Sequence, residues 1–145
     1  SKLVIPMRRD NKIVGCQLIS EEGDKKFLYG QATKGASFNL DAGGTPIFCE
    51  GFATGMSVRN AMRHLKMRYR IHICFSAGNM VEIARSMRDP FVVADNDPVG
   101  IRTAKKIGKF WVSDKDGEDF NDAEQRLGVE EVSKSLLTAI ELVKA

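Results

Sequence analysis

The sequence is poor in cysteine, tryptophan and proline, with three, one and four respectively in 145 residues. Cys16, Cys49 and Cys74 are widely separated, form no CxxC pair and are odd in number. That excludes a disulfide framework and a cysteine-rich zinc site. Each lies in an apolar run, so all three are expected as reduced core residues, and the compartment they suit is the cytoplasm. No apolar run approaches the roughly 18 residues of a membrane-spanning helix, so no membrane partner is expected. The start lacks the basic, apolar and small-residue succession of a secretory signal. Charge of one sign is lacking too: 22 Lys and Arg face 19 Asp and Glu, for a net +3. There is no phosphate-binding P-loop. Gly30 and Gly35 have the right spacing, but Ala36 stands where the lysine is required. His64 and His72 have no metal-ligand spacing. The chain opens on Ser1 rather than Met, and the expectation is a fragment of something larger.

What is present is an ordinary globular composition, 43% hydrophobic and 28% charged, in a chain long enough to bury a core without staples. The pattern divides near residue 45. Before it, Leu3–Met7, Ile13–Ile19, Phe27–Tyr29 and Phe38–Leu40 read as strands separated by turn clusters such as Asp10-Asn11 and Glu21–Asp24. Residues 1–45 are therefore expected to form a small β-rich subdomain. After Asp41–Pro46, short apolar strands alternate with helical periodicity. The strands are Ile47–Cys49, Arg70–Phe75, Phe91–Ala94 and Phe110–Val112. The helices are Ala53–Lys66, Asn79–Met87, Val99–Ile107, Asp119–Leu127 and Val129–Lys144. That alternation predicts an α/β fold over 46–145, a parallel sheet flanked by helices.

In such a sheet, chemistry collects at the carboxyl ends of the strands. Three acidic segments fall there. Asp95-Asn96-Asp97 follows a fully apolar strand, and two repelling carboxylates at a sheet edge invite a divalent cation with oxygen ligands. The same residues also suit a solvated turn in which an Asp caps the next helix, with Pro98 in its first turn. Glu50-Gly51 closes the first strand of the α/β part. Gly117–Asp122 is an acidic loop leading into a helix, and Asp119 and Asp122 are equally placed to ligate or to cap.

Together these segments resemble the Toprim domain family, shared by bacterial-type primases, type IA and II topoisomerases and some nucleases. The family pattern is Glu-Gly at one strand end and Asp-x-Asp after another, matching Glu50-Gly51 and Asp95–Asp97. The likeness is greatest to phage/plasmid-type (DnaG-like) primases and primase-helicases. It includes Glu50–Thr54, Ala94–Asp97 with Gly100, Gly117–Asp122, and the N-terminal stretches Leu3–Pro6 and Gly23–Gly30. The resemblance covers roughly residues 3 to 128. It implies a Toprim-like sheet behind a small β module, and Mg²⁺-dependent (or Mn²⁺-dependent) nucleotidyl transfer making RNA primers. Glu50, Asp95 and Asp97 would be catalytic. The metal set would be Glu50, Asp95, Asp97 and Asp119, with Asp122 as second choice. Cellular primases often carry an Asp four residues after the glutamate, where this chain has Thr54. The implied partners are single-stranded DNA template, nucleoside triphosphates, and a helicase and a template-recognition domain outside this chain.

A polyanion needs cationic neighbours. The net charge is a near-cancellation: residues 59–109 carry +7 and residues 110–145 carry −5. Candidate contacts to nucleotide or nucleic acid are Arg8, Arg9, Lys25, Lys26 and Lys34 in the β module, with Arg59, Arg102 and Lys105 on helices. Other readings remain. Asp95–Val99 fits the nucleophile motif of haloacid-dehalogenase-like phosphatases, but that family opens with the motif and needs a longer chain. A Toprim nuclease or topoisomerase is a second reading, although only Tyr29 and Tyr69 are available as nucleophiles. A non-catalytic DNA-binding or assembly module is a third.

Overall fold

A computed structural model describes residues 2–29, 33–41 and 43–142. Gly30, one end of the P-loop-like spacing and of the Gly23–Gly30 match, lies outside the described residues, as does Lys144 at the end of the last expected helix.

The N-terminal strands form their own antiparallel sheet, in the order β1 (Lys2–Arg9), β2 (Lys12–Ser20), β3 (Lys25–Tyr29). The β1–β2 turn is Asp10-Asn11, both at positive φ (52° and 65°), which matches the twist of a tight hairpin and suits Asp and Asn. Met7 and Val14 bury one face of this sheet against Ala36, Phe27 and Phe75.

The second sheet has five strands in the order β4 (Phe38–Leu40), β6 (Tyr69–Ile73), β5 (Thr45–Cys49), β7 (Phe91–Val93), β8 (Lys109–Trp111). All pairings are parallel except β4–β6. The sequence pattern places Phe38–Leu40 among the N-terminal strands, yet β4 pairs with the larger sheet. The reason is packing: Leu40 is buried and Phe38 half-buried against the core containing Ile71 and Ile73, which register opposite them. The N-terminal sheet is fastened to β4 by reciprocal Arg8–Ser37 backbone hydrogen bonds of 2.9 Å.

Alternation along the strands gives the sheet two apolar faces. Ile47, Ile71, Ile73, Phe91, Val93 and Trp111 pack under α1 (Phe52–His64), α4 (Phe120–Leu127) and α5 (Val129–Leu142). Phe48, Cys74, Val92 and Ala94 pack under α2 (Ala77–Ala84) and α3 (Pro98–Ile107). A side chain the size of Phe48 or Ile47 contributes roughly 1.5–3 kcal/mol by such burial. Cys49 and Cys74 are core residues as expected, but Cys16 is only half-buried, because it lies on the three-stranded N-terminal sheet rather than in the larger sheet. Among the described residues no helix is long and apolar enough to cross a membrane.

The chain leaves β5 through α1 to β6 on one side, then returns through α2 to β7 on the other. The strand order therefore reverses between β5 and β7. Loops there diverge and leave a crevice at the carboxyl ends. Glu50 follows β5, and Asp95 lies two residues beyond β7.

Candidate active site

At that crevice Glu50, Asp95 and Asp119 line one cavity of about 270 Å³, together with Lys25, Gln17 and Thr54. Three separated stretches of sequence thus deliver acids to one place, and the N-terminal sheet supplies a cation. Burial pushes the Glu50 carboxyl up from its ordinary range, and the nearby Asp97 charge pushes it further, against the opposing pull of Lys25. Asp95 is pushed up to about 6 by burial, then by Glu50, Asp119 and Asp97, again opposed by Lys25. Asp119 is raised chiefly by burial. These are the marks of a negative site short of positive charge. The buried Cys49 and Cys74 thiols are raised as well, first by burial, so neither is a thiolate at neutral pH.

Of the two alternatives, capping is the one visible in the geometry. Asp97 caps α3, its Oδ1 accepting from the Gly100 backbone N–H at 2.6 Å, with Pro98 beginning the helix. Asp119 caps α4, its Oδ1 accepting from the Asp122 N–H at 2.8 Å, while Asp122 Oδ2 accepts from the Asp119 N–H at 3.1 Å. Capping leaves each carboxylate further oxygen lone pairs. Asp119 lines the cavity, whereas Asp97 is exposed and outside its lining, with its charge still acting on Glu50 and Asp95. Asp122 is turned toward the cap and does not line the cavity. Among the described residues, no three His, Cys, Asp or Glu side chains stand close enough to share one ion as placed.

The candidate basic residues scatter. Lys25 faces the carboxylates, whereas Lys26 is its exposed neighbour on β3 and does not line that cavity. Arg8 and Arg9 line a separate cavity of about 520 Å³ with Arg70 and His72. Lys34 lines another with Phe27 and Tyr29. Arg59 is half-buried on α1. Arg102 and Lys105 are exposed on α3, beside Pro98 and Ile101.

Solved structures share this architecture. The primase fragment of the bacteriophage T7 primase-helicase protein superposes with a TM-score of 0.65 at 15% identity, over 91% of this chain and 60% of that one. A DnaG primase catalytic domain bound to single-stranded DNA gives 0.61 at 12% identity, over 94% and 51%. A DNA primase domain from Pseudomonas aeruginosa gives 0.57 at 14% identity, over 94% and 50%. The fold is that of primase catalytic domains. This chain spans half to three-fifths of the length of those chains. No protein-family model and no curated protein sequence matches it.

Within that fold, several residues position the acids without announcing themselves in the sequence. Asn96, between the two aspartates, donates through Nδ2 to the carbonyls of Ser113 (2.8 Å) and Lys115 (3.1 Å). Its backbone bonds Glu118 and Gly117 in addition. It ties the β7 loop to the acidic loop before α4. Glu118 is buried, accepting from Ser113 and from the Nε and Nη2 of Arg126. Gly100 lets α3 approach the Asp95 carbonyl, since a Cβ there would lie 2.3 Å from that oxygen. The signal for Asn96 is its position inside the DxD. For Glu118 and Arg126 the spacing, eight residues apart, carries none.

Proposed function

We propose that this chain is the catalytic Toprim part of a primase of the phage/plasmid type, joining nucleotides on a single-stranded DNA template. The observation that carries the proposal is the convergence of Glu50, Asp95 and Asp119 on one cavity at the β5–β7 reversal. The shared fold with primase catalytic domains supports it.

The donor set fits a hydrated divalent cation. Its carboxylates are all oxygen donors, and beside them Gln17 Oε1 is buried with no hydrogen-bond partner among the described residues. Asp95 and Asp97 would hold Mg²⁺ or Mn²⁺, with Asp119 next and Asp122 as second choice. Bound there, the ion would neutralise phosphate oxygens. Nucleotidyl transfer joins a 3′-oxygen to an α-phosphorus, releases pyrophosphate and sheds the hydroxyl proton. We assign that proton to Glu50, whose carboxyl holds a proton more readily than a free one. Lys25 is the cation placed to meet a phosphate in the cavity. A helicase and a template-recognition domain complete the proposed machine outside this chain, in the cytoplasm.

The test is labelled ribonucleotide incorporation on single-stranded DNA with Mg²⁺, run beside a cleavage assay on the same strand. The expected result is primer synthesis by the wild type and its loss in folded Glu50→Gln and Asp95→Asn. Activity retained in either variant overturns the assignment, and strand cleavage in place of synthesis replaces it with the nuclease reading. Calorimetric Mn²⁺ titration separates both from a non-catalytic module, which binds no ion.

A further inference from the structure

The carboxylate cavity has a neighbour. Phe27 and Phe75 line it and also a second cavity of about 380 Å³, whose other walls include Tyr29, Met7 and Lys34. Phe27 and Tyr29 alternate on β3, so their rings fall on one face, stacked 5.7 Å apart and 10° from parallel. Phe75 meets Phe27 edge-on at 6.2 Å and 83°. Tyr29 nevertheless remains 62% exposed. A stacked aromatic left open beside a cavity offers its free face to another flat ring.

Phe75 adds a second observation. Its φ of +72° lies in the left-handed region, which a bulky residue adopts only when its surroundings hold it there. Its backbone N–H donates to the Glu50 carbonyl at 2.8 Å. The residue tied to the strand end carrying Glu50 is therefore strained, and it lines both the acidic cavity and the aromatic one.

We propose that the aromatic cavity holds the base of the nucleoside triphosphate whose phosphates lie among the carboxylates, stacked on Tyr29. The inference rests on the nucleotidyl-transfer reading and adds to it a subsite and its chemistry. A cavity of this size accommodates a base, and the two compartments meet at Phe27 and Phe75 as the two ends of one nucleotide meet at its sugar. Stacking reads the flat face that every base has, so the subsite accepts all four, with purines favoured by their larger face.

The test measures binding in Mg²⁺ of ATP, inorganic tripolyphosphate and a ten-residue oligothymidylate to wild type, Tyr29→Ala and Tyr29→Trp. Tyr29→Ala is expected to weaken ATP roughly five- to a hundredfold and to leave tripolyphosphate unchanged, while Tyr29→Trp keeps ATP affinity. Unchanged tripolyphosphate binding also shows that the variant is folded. ATP bound equally by Tyr29→Ala and wild type overturns the inference and leaves nucleotidyl transfer standing. Loss of oligothymidylate alone also overturns it, assigning the platform to template. Wild type that binds neither ATP nor tripolyphosphate overturns both readings together.

Discussion

Arg126 grips Glu118 with two hydrogen bonds, Nε to Oε2 at 2.8 Å and Nη2 to Oε1 at 2.7 Å. Asp119 is the next residue in the chain, so this pair aims the third acidic segment at the cavity. Ser113 donates to the same carboxylate, and Arg126 also reaches Asp114 at 3.1 Å. The guanidinium and the hydroxyl hold Glu118 down at about 2. A depressed carboxyl stabilises the fold above its unfolded value and loses that contribution as pH falls toward 2.

Removing one partner strands the other. Arg126→Met is expected to lower the melting temperature by several degrees and reduce activity, because a buried carboxylate loses its counter-charge. Arg126→Met with Glu118→Gln should recover part of the stability. Thermal denaturation of the wild type, both single variants and the double variant checks this; a double variant no better than Arg126→Met alone would argue against it.

Asp95→Asn should stabilise the cation-free protein while abolishing activity. With its folded value near 6 against an ordinary carboxyl, Asp95 is charged at neutral pH at a cost from burial and from Glu50, Asp119 and Asp97. The gain, about 1 kcal/mol once solvent screening is allowed for, is present above pH 6 and disappears as pH falls below 4. Urea unfolding at pH 7.5 and pH 4 measures it. Saturating Mg²⁺ should narrow the gap at pH 7.5, by stabilising only the wild type.

His72 should impose an acid limit of its own. It is 3% exposed, stacked on Phe48 at 4.6 Å, and lowered to about 4 by burial and then by Arg70. It is neutral at pH 7. Below its unfolded value near 6.5 the unfolded chain takes up the proton first, so stability falls from there toward pH 4 and then levels. The loss is about 3 kcal/mol, since the value falls from 6.5 to about 4. His72→Phe should remove that part of the slope. The difference between the two unfolding profiles isolates it from Asp95, which titrates with the opposite sign.

Gly100→Ala should be severe for a methyl group on a half-buried residue. Its Cβ would meet the Asp95 carbonyl oxygen at 2.3 Å and the carbonyl carbon at 3.1 Å. Either α3 withdraws or the Asp95 loop shifts. The expected cost is about 2 kcal/mol with a marked loss of activity; Gly78→Ala, which has open space, should cost far less stability. Comparable melting temperatures of the two variants would contradict the close approach.

The strands of the α/β core and their helices were legible in the sequence because apolar runs and helical periodicity are local signals. Glu50, Asp95 and Asp119 were legible as strand-end and loop acids for the same reason, and so was the hairpin at Asp10-Asn11. Whether Asp97 and Asp119 cap or ligate was not legible, since both uses require the same residue before a helix. Nor were the partners of the acids. Lys25 and Gln17 reach the cavity because the N-terminal sheet docks through Met7, Val14, Phe27 and Phe75, a packing set by surfaces distant in sequence. β4 joins the larger sheet because Leu40 finds a core there, which its own three residues do not encode. Local chemistry chose the elements and their acids. Long-range burial chose which acids, cations and aromatic rings share a cavity, because only packing brings residues from β2, β3, β5, β7 and α4 to one crevice.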